Sequence, residues 1–305
     1  MNNIVIIGCG NVGLSYLKKL CLESNLDLNI SLIDINTDHL KGEILDLEQS
    51  LVYKNKNINI KIGTYDDCNN ADIIVITAGI SQSDKDRLND LYKTNEIIVD
   101  ITSKLRDTNF KGIYLVASNP LDVITELVAH YTDHSYNKVI GTGTMLDTAR
   151  LKSLISKKIE VLASDINVYV LGEHGNSQFV AWSNANIGLQ NISCFLTEEE
   201  KEQLSLETKK MGSTIVKSKG YTSDGVASCL VELTLAIIMD LKKVYAISNY
   251  NSYYDVYLST PAVIGKNGIE DIINIKLTKG EEEKLKESSE IITEALEEIL
   301  PKELY

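Results

Sequence analysis

The chain has 305 residues, with 43 acidic against 30 basic side chains and a formal net charge of -13, which argues against a broad nucleic-acid surface. Hydrophobic residues make up 44%, charged residues 24%, and there are only 3 prolines, a composition that excludes disordered and fibrous classes. No apolar run approaches the roughly 18 to 20 residues that span a bilayer, so no membrane partner is expected.

The first half alternates β-branched runs with helical patterns, as βαβ units and a parallel sheet require. Strands are predicted at Ile4 to Ile7, Ile30 to Asp34, Ile58 to Ile62, Ile73 to Thr77, Ile113 to Ser118 and Val139 to Ile140. Leu88, Leu91, Ile98, Thr102 and Leu105 fall on one face of a long helix after the fourth strand. Asn119-Pro120 breaks the chain, with Pro120 suited to the first turn of a helix from about Leu121. After about Gly141 the pattern becomes mixed. Helices are predicted near Leu146 to Lys158, Glu198 to Lys219 and Val226 to Leu241, and strands near Ile166 to Leu171 and Val256 to Ile264. Thr197 with Glu200 reads as a capping box. The tail alternates over Ile273 to Leu277 and closes with a helix carrying Leu285, Ile292, Leu296 and Ile299 on one stripe. The expected fold is therefore α/β: a Rossmann-type doubly wound parallel sheet over residues 1–141, then a C-terminal mixed α+β substrate domain over 142–305, with the two lobes tightly packed.

Gly8-Cys9-Gly10-Asn11-Val12-Gly13 has the GxGxxG spacing, placed between the first strand and the helical segment Leu14 to Cys21. Gly8 and Gly10 permit a tight turn and close approach of a pyrophosphate, Gly13 permits close helix–strand packing, and the helix N-terminus supplies N–H donors. About 20 residues on, Asp34 ends the second strand, where a carboxylate accepts from ribose hydroxyls and repels a 2′-phosphate. This favours NAD over NADP. The five cysteines show no CxxC or Cys/His metal spacing, so no metal is expected, and an odd count fits free thiols in the cytoplasm.

Arg87, Arg106 and Arg150 are the only arginines, so each is a candidate for bidentate recognition that lysine cannot perform. Among four histidines, His174 lies in Gly172-Glu173-His174-Gly175 after a strand, as a catalytic acid/base or as a satisfied histidine at a strand end. Asp147 and Arg150, three apart, share a helix face, either as a surface pair or as the orienting carboxylate and carboxylate clamp of a keto-acid site. Arg87 lies in the polar segment Ser81 to Asp90, either as a solvated loop residue or as a second cation that closes over the reacting oxygen.

Gly141-Thr-Gly-Thr-Met-Leu-Asp-Thr-Ala-Arg150, the segment Leu171 to Ser183 and Lys219-Gly-Tyr-Thr222 resemble the NAD-dependent L-2-hydroxyacid dehydrogenases over nearly the whole chain. The resemblance is strongest to the L-lactate dehydrogenases, and the segment Leu171 to Ser183 is also similar to L-2-hydroxyisocaproate dehydrogenases. It implies that His174 exchanges the proton, Asp147 orients it, Arg87 polarises the carbonyl and Arg150 clamps the substrate carboxylate. Asn119 would contact substrate and nicotinamide, and Thr222 would line the pocket. NAD contacts would fall on Val12, Asp34, Tyr65, Gly79 and Thr142, beside the glycine motif. Gln82 stands at the specificity position, where malate enzymes carry arginine; an uncharged amide there opposes a second substrate carboxylate. The segment Ser83 to Arg87 is one residue shorter than usual and lacks Lys-Pro-Gly, which keeps larger 2-keto acids open as substrates. Lys152 and Asn167 replace the arginine and histidine of family members activated by fructose 1,6-bisphosphate, so strong activation is not expected. The resemblance further implies a homotetramer or homodimer. A non-catalytic dinucleotide-binding sensor and a malate dehydrogenase are the rival readings.

Overall fold

The computed structural model describes residues 1–80 and 87–300, and of Arg87 and Leu88 the backbone alone. The first half runs β1 (Asn2–Ile7), α1 (Asn11–Glu23), β2 (Leu28–Ile33), α2 (Thr37–Leu51), β3 (Ile58–Ile62), β4 (Ile73–Ile76), α3 (Arg87–Arg106), β5 (Ile113–Val116), α4 (Leu121–Thr132) and β6 (Val139–Gly141). These strands pair in parallel in the order β3-β2-β1-β4-β5-β6, the doubly wound order whose direction reverses between β1 and β4. The glycine motif follows β1 and so opens at that reversal.

The second half runs α5 (Met145–Ile159), β7 (Ile166–Asn167), β8 (Val170–Leu171), β9 (Phe179–Val180), β10 (Asn186–Ile187), β11 (Gln190–Asn191), α6 (Glu198–Lys219), α7 (Asp224–Ile238), β12 (Lys243–Asn251), β13 (Val256–Gly265), β14 (Gly268–Ile272) and α8 (Lys279–Glu297). The antiparallel strands β12, β13 and β14 extend the first sheet past β6, giving nine strands among the described residues. The junction is slight: β12 meets β6 through the single pair Ser248 and Gly141.

The central strands of the first half are apolar on both faces, and each face buries its own core. Ile4, Ile6, Leu32 and Val75 pack with α1 and α7, whereas Val5, Ile7, Ile74 and Val116 pack with α3, α4 and α8. A smaller core joins Leu151 and Ile155 of α5 to Ile166, Val180 and Leu204. The predicted capping box forms, with Glu200 N–H donating to Thr197 Oγ1 at 3.3 Å and Thr197 N–H to Glu200 Oε2 at 2.8 Å.

Several elements differ from the sequence reading. The apolar run 166–171 is two strands, because Ile166–Asn167 pairs with β10 and Val170–Leu171 with β9, in separate sheets. The strand β12 was not anticipated, since Ser248 and Asn249 read as polar although both are fully buried. Asn249 Nδ2 satisfies that burial by donating to Ile247 O at 2.8 Å and Thr260 Oγ1 at 2.9 Å. The alternating segment 273–277 is not a strand: Ile273 N–H donates to Pro261 O at 2.8 Å, and proline has no N–H to continue the ladder. Pro120, joined to Asn119 by a cis peptide, caps α4 one position before its first turn.

Candidate functional site

The site is assembled at the carboxyl ends of the parallel strands, where doubly wound sheets bind ligands. Gly8 leaves β1 at φ +90°, a conformation costly for L side chains, and a Cβ there would overlap the Ala78 backbone. The N-terminus of α1 has no side-chain cap, so its first N–H groups are available to an anion. Asp34 Oδ2 accepts the Cys9 N–H at 2.6 Å and Oδ1 the Asn36 N–H at 2.9 Å, which fixes the carboxylate beside the glycine turn. A cavity of about 640 Å³ is lined by Gly8, Gly10, Asp34, Tyr65 and Gly79 among others. Ser118 Oγ donates to Ala78 O at 2.6 Å, tying the end of β5, and with it Asn119, to the end of β4.

A second cavity of about 370 Å³ is lined by Asn119, Asp122, His174, Asn176, Ile291 and Ala295 among others. His174 follows β8, and Gly172 anchors it to the large sheet by exchanging backbone hydrogen bonds with Ser259 at 3.0 and 2.9 Å. The Glu173 carboxylate closes the following turn, accepting from Ser177 N–H at 3.1 Å and Ser177 Oγ at 2.6 Å. His174 Nδ1 donates to Asp147 Oδ2 at 2.7 Å, and Arg150 Nη1 donates to Asp147 Oδ1 at 2.9 Å. The Asp147 side chain is 2% exposed, that of Arg150 11% and that of His174 23%.

Burial works against charge on the imidazole, but the Asp147 carboxylate and its hydrogen bond outweigh it, so the His174 pKa is raised. Burial likewise opposes the Asp147 charge, and His174 with Arg150 overcomes it, leaving the carboxyl below its ordinary range. With Nδ1 held, Nε2 is the ring nitrogen left to exchange a proton. Arg150 Nε is buried with no hydrogen-bond partner among the described residues. Gly212 of α6 stands against that guanidinium; a Cβ there would sit 3.5 Å from both Nη1 and Nη2 and cover it.

The lactate/malate dehydrogenase NAD binding domain matches residues 2–141, and the alpha/beta C-terminal domain of the same family matches 144–303. The chain belongs to the lactate/malate dehydrogenase family. It is 34% identical over 310 residues to an L-lactate dehydrogenase of Borrelia hermsii, covering 98% of each chain. It is 37% identical over 309 residues to that of Mycoplasma mycoides, covering 98% of this chain and 97% of the relative. Among crystal structures, a lactate dehydrogenase from a Medee basin deep-sea metagenome library superposes with TM-score 0.94 at 34% identity, over 98% of both chains. The minor L-lactate dehydrogenase of Enterococcus mundtii, in ligand-bound form, gives 0.95 at 29% identity over 99% of both.

NAD is the cofactor of this lactate/malate dehydrogenase family's N-terminal domain, and the residues present fit it. The uncapped α1 suits a pyrophosphate, and Gly10, where a Cβ would meet nothing within 4 Å, leaves open space at that turn. The Asp34 carboxylate, held by two N–H groups, keeps lone pairs for ribose hydroxyls.

Of the predicted site residues, the structure brings His174, Asp147 and Arg150 into direct contact and sets Asn119 on the same cavity as His174. Gly8, Gly10, Asp34, Tyr65 and Gly79 share the other cavity, whereas Val12, Gly13 and Thr142 do not line it. Thr142 is buried, with its N–H on Val116 O at 3.0 Å. Neither Arg150 nor Thr222 lines the His174 cavity. Gln82 lies outside the described residues; Arg87 is the first residue of α3, and its side chain also lies outside them. Sequence reasoning missed Asp122, whose Oδ2 accepts the His174 backbone N–H at 2.7 Å, and the α8 wall of Ile291 and Ala295. The only signal for Asp122 is an acidic residue in the first turn of a helix that follows a strand.

Proposed function

We propose that the chain is an NAD-dependent L-lactate dehydrogenase that interconverts pyruvate and L-lactate. The observation that carries this reading is the contact chain from Arg150 through Asp147 to His174, with Arg150 Nε unpaired among the described residues and His174 held through Nδ1. Bound NAD supplies or takes up the hydride at C2. In reduction, the guanidinium of Arg150 holds the pyruvate carboxylate in two hydrogen bonds while His174 Nε2–H gives its proton to the ketone oxygen. Asp147 keeps Nδ1 protonated and stabilises the imidazolium, so the proton lost is the one on Nε2. In the reverse direction neutral Nε2 takes the proton of the lactate hydroxyl. Asn119 orients the substrate, Arg87 polarises the carbonyl, Gln82 sets the side-chain preference and Thr222 lines the pocket in this proposal.

The division proposed is a cofactor domain over 1–141 and a substrate-binding, catalytic domain over 142–305. Among the described residues no helix is long and apolar enough to cross a membrane. A homotetramer or homodimer in the cytoplasm completes the reading; Cys9, Cys21, Cys68 and Cys229 are free and buried, which fits a reducing compartment. NADH oxidation with pyruvate, 2-ketoisocaproate and oxaloacetate in parallel tests it, with the highest kcat/KM expected for pyruvate. A lead for oxaloacetate, or NADH binding without turnover of any of them, would overturn it.

A further inference from the structure

Two carboxylates hold His174, and the reading above uses one. Asp122, in the first turn of α4, is 2% exposed, and its Oδ2 accepts the His174 backbone N–H at 2.7 Å. Its Oδ1 is buried without a hydrogen-bond partner among the described residues, and the residue borders the cavity that His174 faces. Ser248 Oγ on β12, itself buried and unpartnered, faces the carboxylate. A plain helix cap would not need this burial; a hydroxyl or an exposed carboxylate satisfies a first-turn N–H at lower desolvation cost.

The surrounding charges show what Asp122 is positioned to do. From α5 come Asp147 and Arg150, from the turn after β8 Glu173 and His174, and from α4 itself Glu126; β12 offers only the Ser248 hydroxyl. The Asp147 oxygens are divided between His174 and Arg150, so the guanidinium already offsets that carboxylate. Among the described residues, His174 is the one cation that acts on Asp122. Glu173 is committed to Ser177.

We propose that Asp122 is a positioning residue for the proton transfer: it locks the backbone at His174 and supplies the uncompensated negative charge that keeps the imidazole protonated near neutral pH. This rests on the reading of His174 as the acid/base. Burial pushes the Asp122 carboxyl up, to about 6, against the pull of Ser248 and of the His174 amide. Asp122 therefore ionises just below the range in which His174 must hold its proton, and acidification withdraws its support.

Asp122→Asn tests this, because the amide keeps an oxygen for the His174 N–H and removes only the charge. The readout is NMR titration of labelled histidine imidazoles in the full chain, with the His174 signal assigned by its absence in His174→Gln. The expected result is a His174 pKa about one pH unit lower, with the alkaline limb of the pyruvate kcat/KM profile moving by the same amount and NADH affinity unchanged. Ser248→Ala leaves the charge in place but makes Asp122 harder to ionise, so it should move the imidazole in the same direction by less; it carries the test if Asp122→Asn fails to fold. An unmoved imidazole in the folded variant overturns the proposal and reduces Asp122 to a structural cap. The titration needs no turnover, so a parent protein inactive toward all three keto acids would refute the pyruvate reading while leaving this result to decide the role of Asp122.

Discussion

Replacing Asp147 by Asn removes one charge at a point where both carboxylate oxygens are engaged, Oδ2 with His174 Nδ1 at 2.7 Å and Oδ1 with Arg150 Nη1 at 2.9 Å. An amide has one acceptor oxygen for these two donors, so its NH2 must face either the ring or the guanidinium. Facing the ring, it forces Nδ1 to accept and leaves the proton on Nε2 of a neutral, weakly acidic imidazole; facing Arg150, it opposes donor to donor. Either way the imidazolium loses its counter-ion, and at 2% exposure water cannot replace it. Breaking a buried pair costs about 3–5 kcal/mol, which at 1.36 kcal/mol per tenfold is roughly a 100- to 5,000-fold loss in kcat/KM for pyruvate. The sign with pH is equally definite. Asp147 raises the imidazole pKa against burial, so without it the protonated donor is lost at lower pH and the alkaline limb of pyruvate reduction moves down. The assay is initial-rate NADH oxidation across a pH series, with NADH fluorescence titration as the control; Asp147 does not line the cofactor cavity, so affinity for NADH should hold. A kcat/KM within a factor of a few of the parent, with an unmoved pH profile, would refute the assignment.

Three further outcomes are expected. Arg150→Lys should raise KM for pyruvate by at least about tenfold, because an ammonium cannot present the paired N–H edge; steady-state kinetics with unchanged KM would remove Arg150 from the carboxylate site. Gly8→Ala forces a Cβ onto the Ala78 backbone at φ +90°, so the melting temperature should fall and NADH binding weaken together, by an equivalent of ~2 kcal/mol or more in stability. Glu126, half-buried and accepting the Tyr257 N–H, has a carboxyl pushed up to about 7 from 4.5, chiefly by burial. The folded state thus binds more protons than the unfolded one, and stability is lost as pH rises from about 4.5 through 7. Glu126→Gln should flatten that slope and raise the melting temperature at pH 8 but not at pH 4.5, as scanning calorimetry at the two values would show.

The first half of the fold was legible because its central strands are buried on both faces and announce themselves as continuous β-branched runs. The second half was less so. In β12, Ser248 and Asn249 are buried, Asn249 with its amide satisfied by hydrogen bonds within the sheet, and a polarity pattern assigns such residues to the surface. The run from Ile166 to Leu171 carries the apolarity of a strand but not the identity of its partners, which lie in two sheets. His174, Asp147 and Arg150 were readable as chemistry because their residue types are specific to a task. Asp122 acts through a backbone N–H, and any residue supplies one, so no spacing in the sequence records that contact. The α8 wall is more than one hundred residues from His174 in the chain, and Ile291 and Ala295 lie beside, not on, the apolar stripe that the sequence shows.

The exchange of hydrogen bonds between Gly172 and Ser259 hangs the histidine from the outer wing of the sheet whose centre carries the glycine turn. The sheet then acts as a ruler. From β1 outward through β4, β5, β6 and β12 to β13, each strand adds a fixed step of about 4.8 Å, so the spacing of the two cavities is counted in strands and does not depend on any surface loop. Helices and connections can drift in sequence without altering that gauge. Inserting or deleting one strand would displace His174 by a whole step, more than the reach of a hydrogen bond.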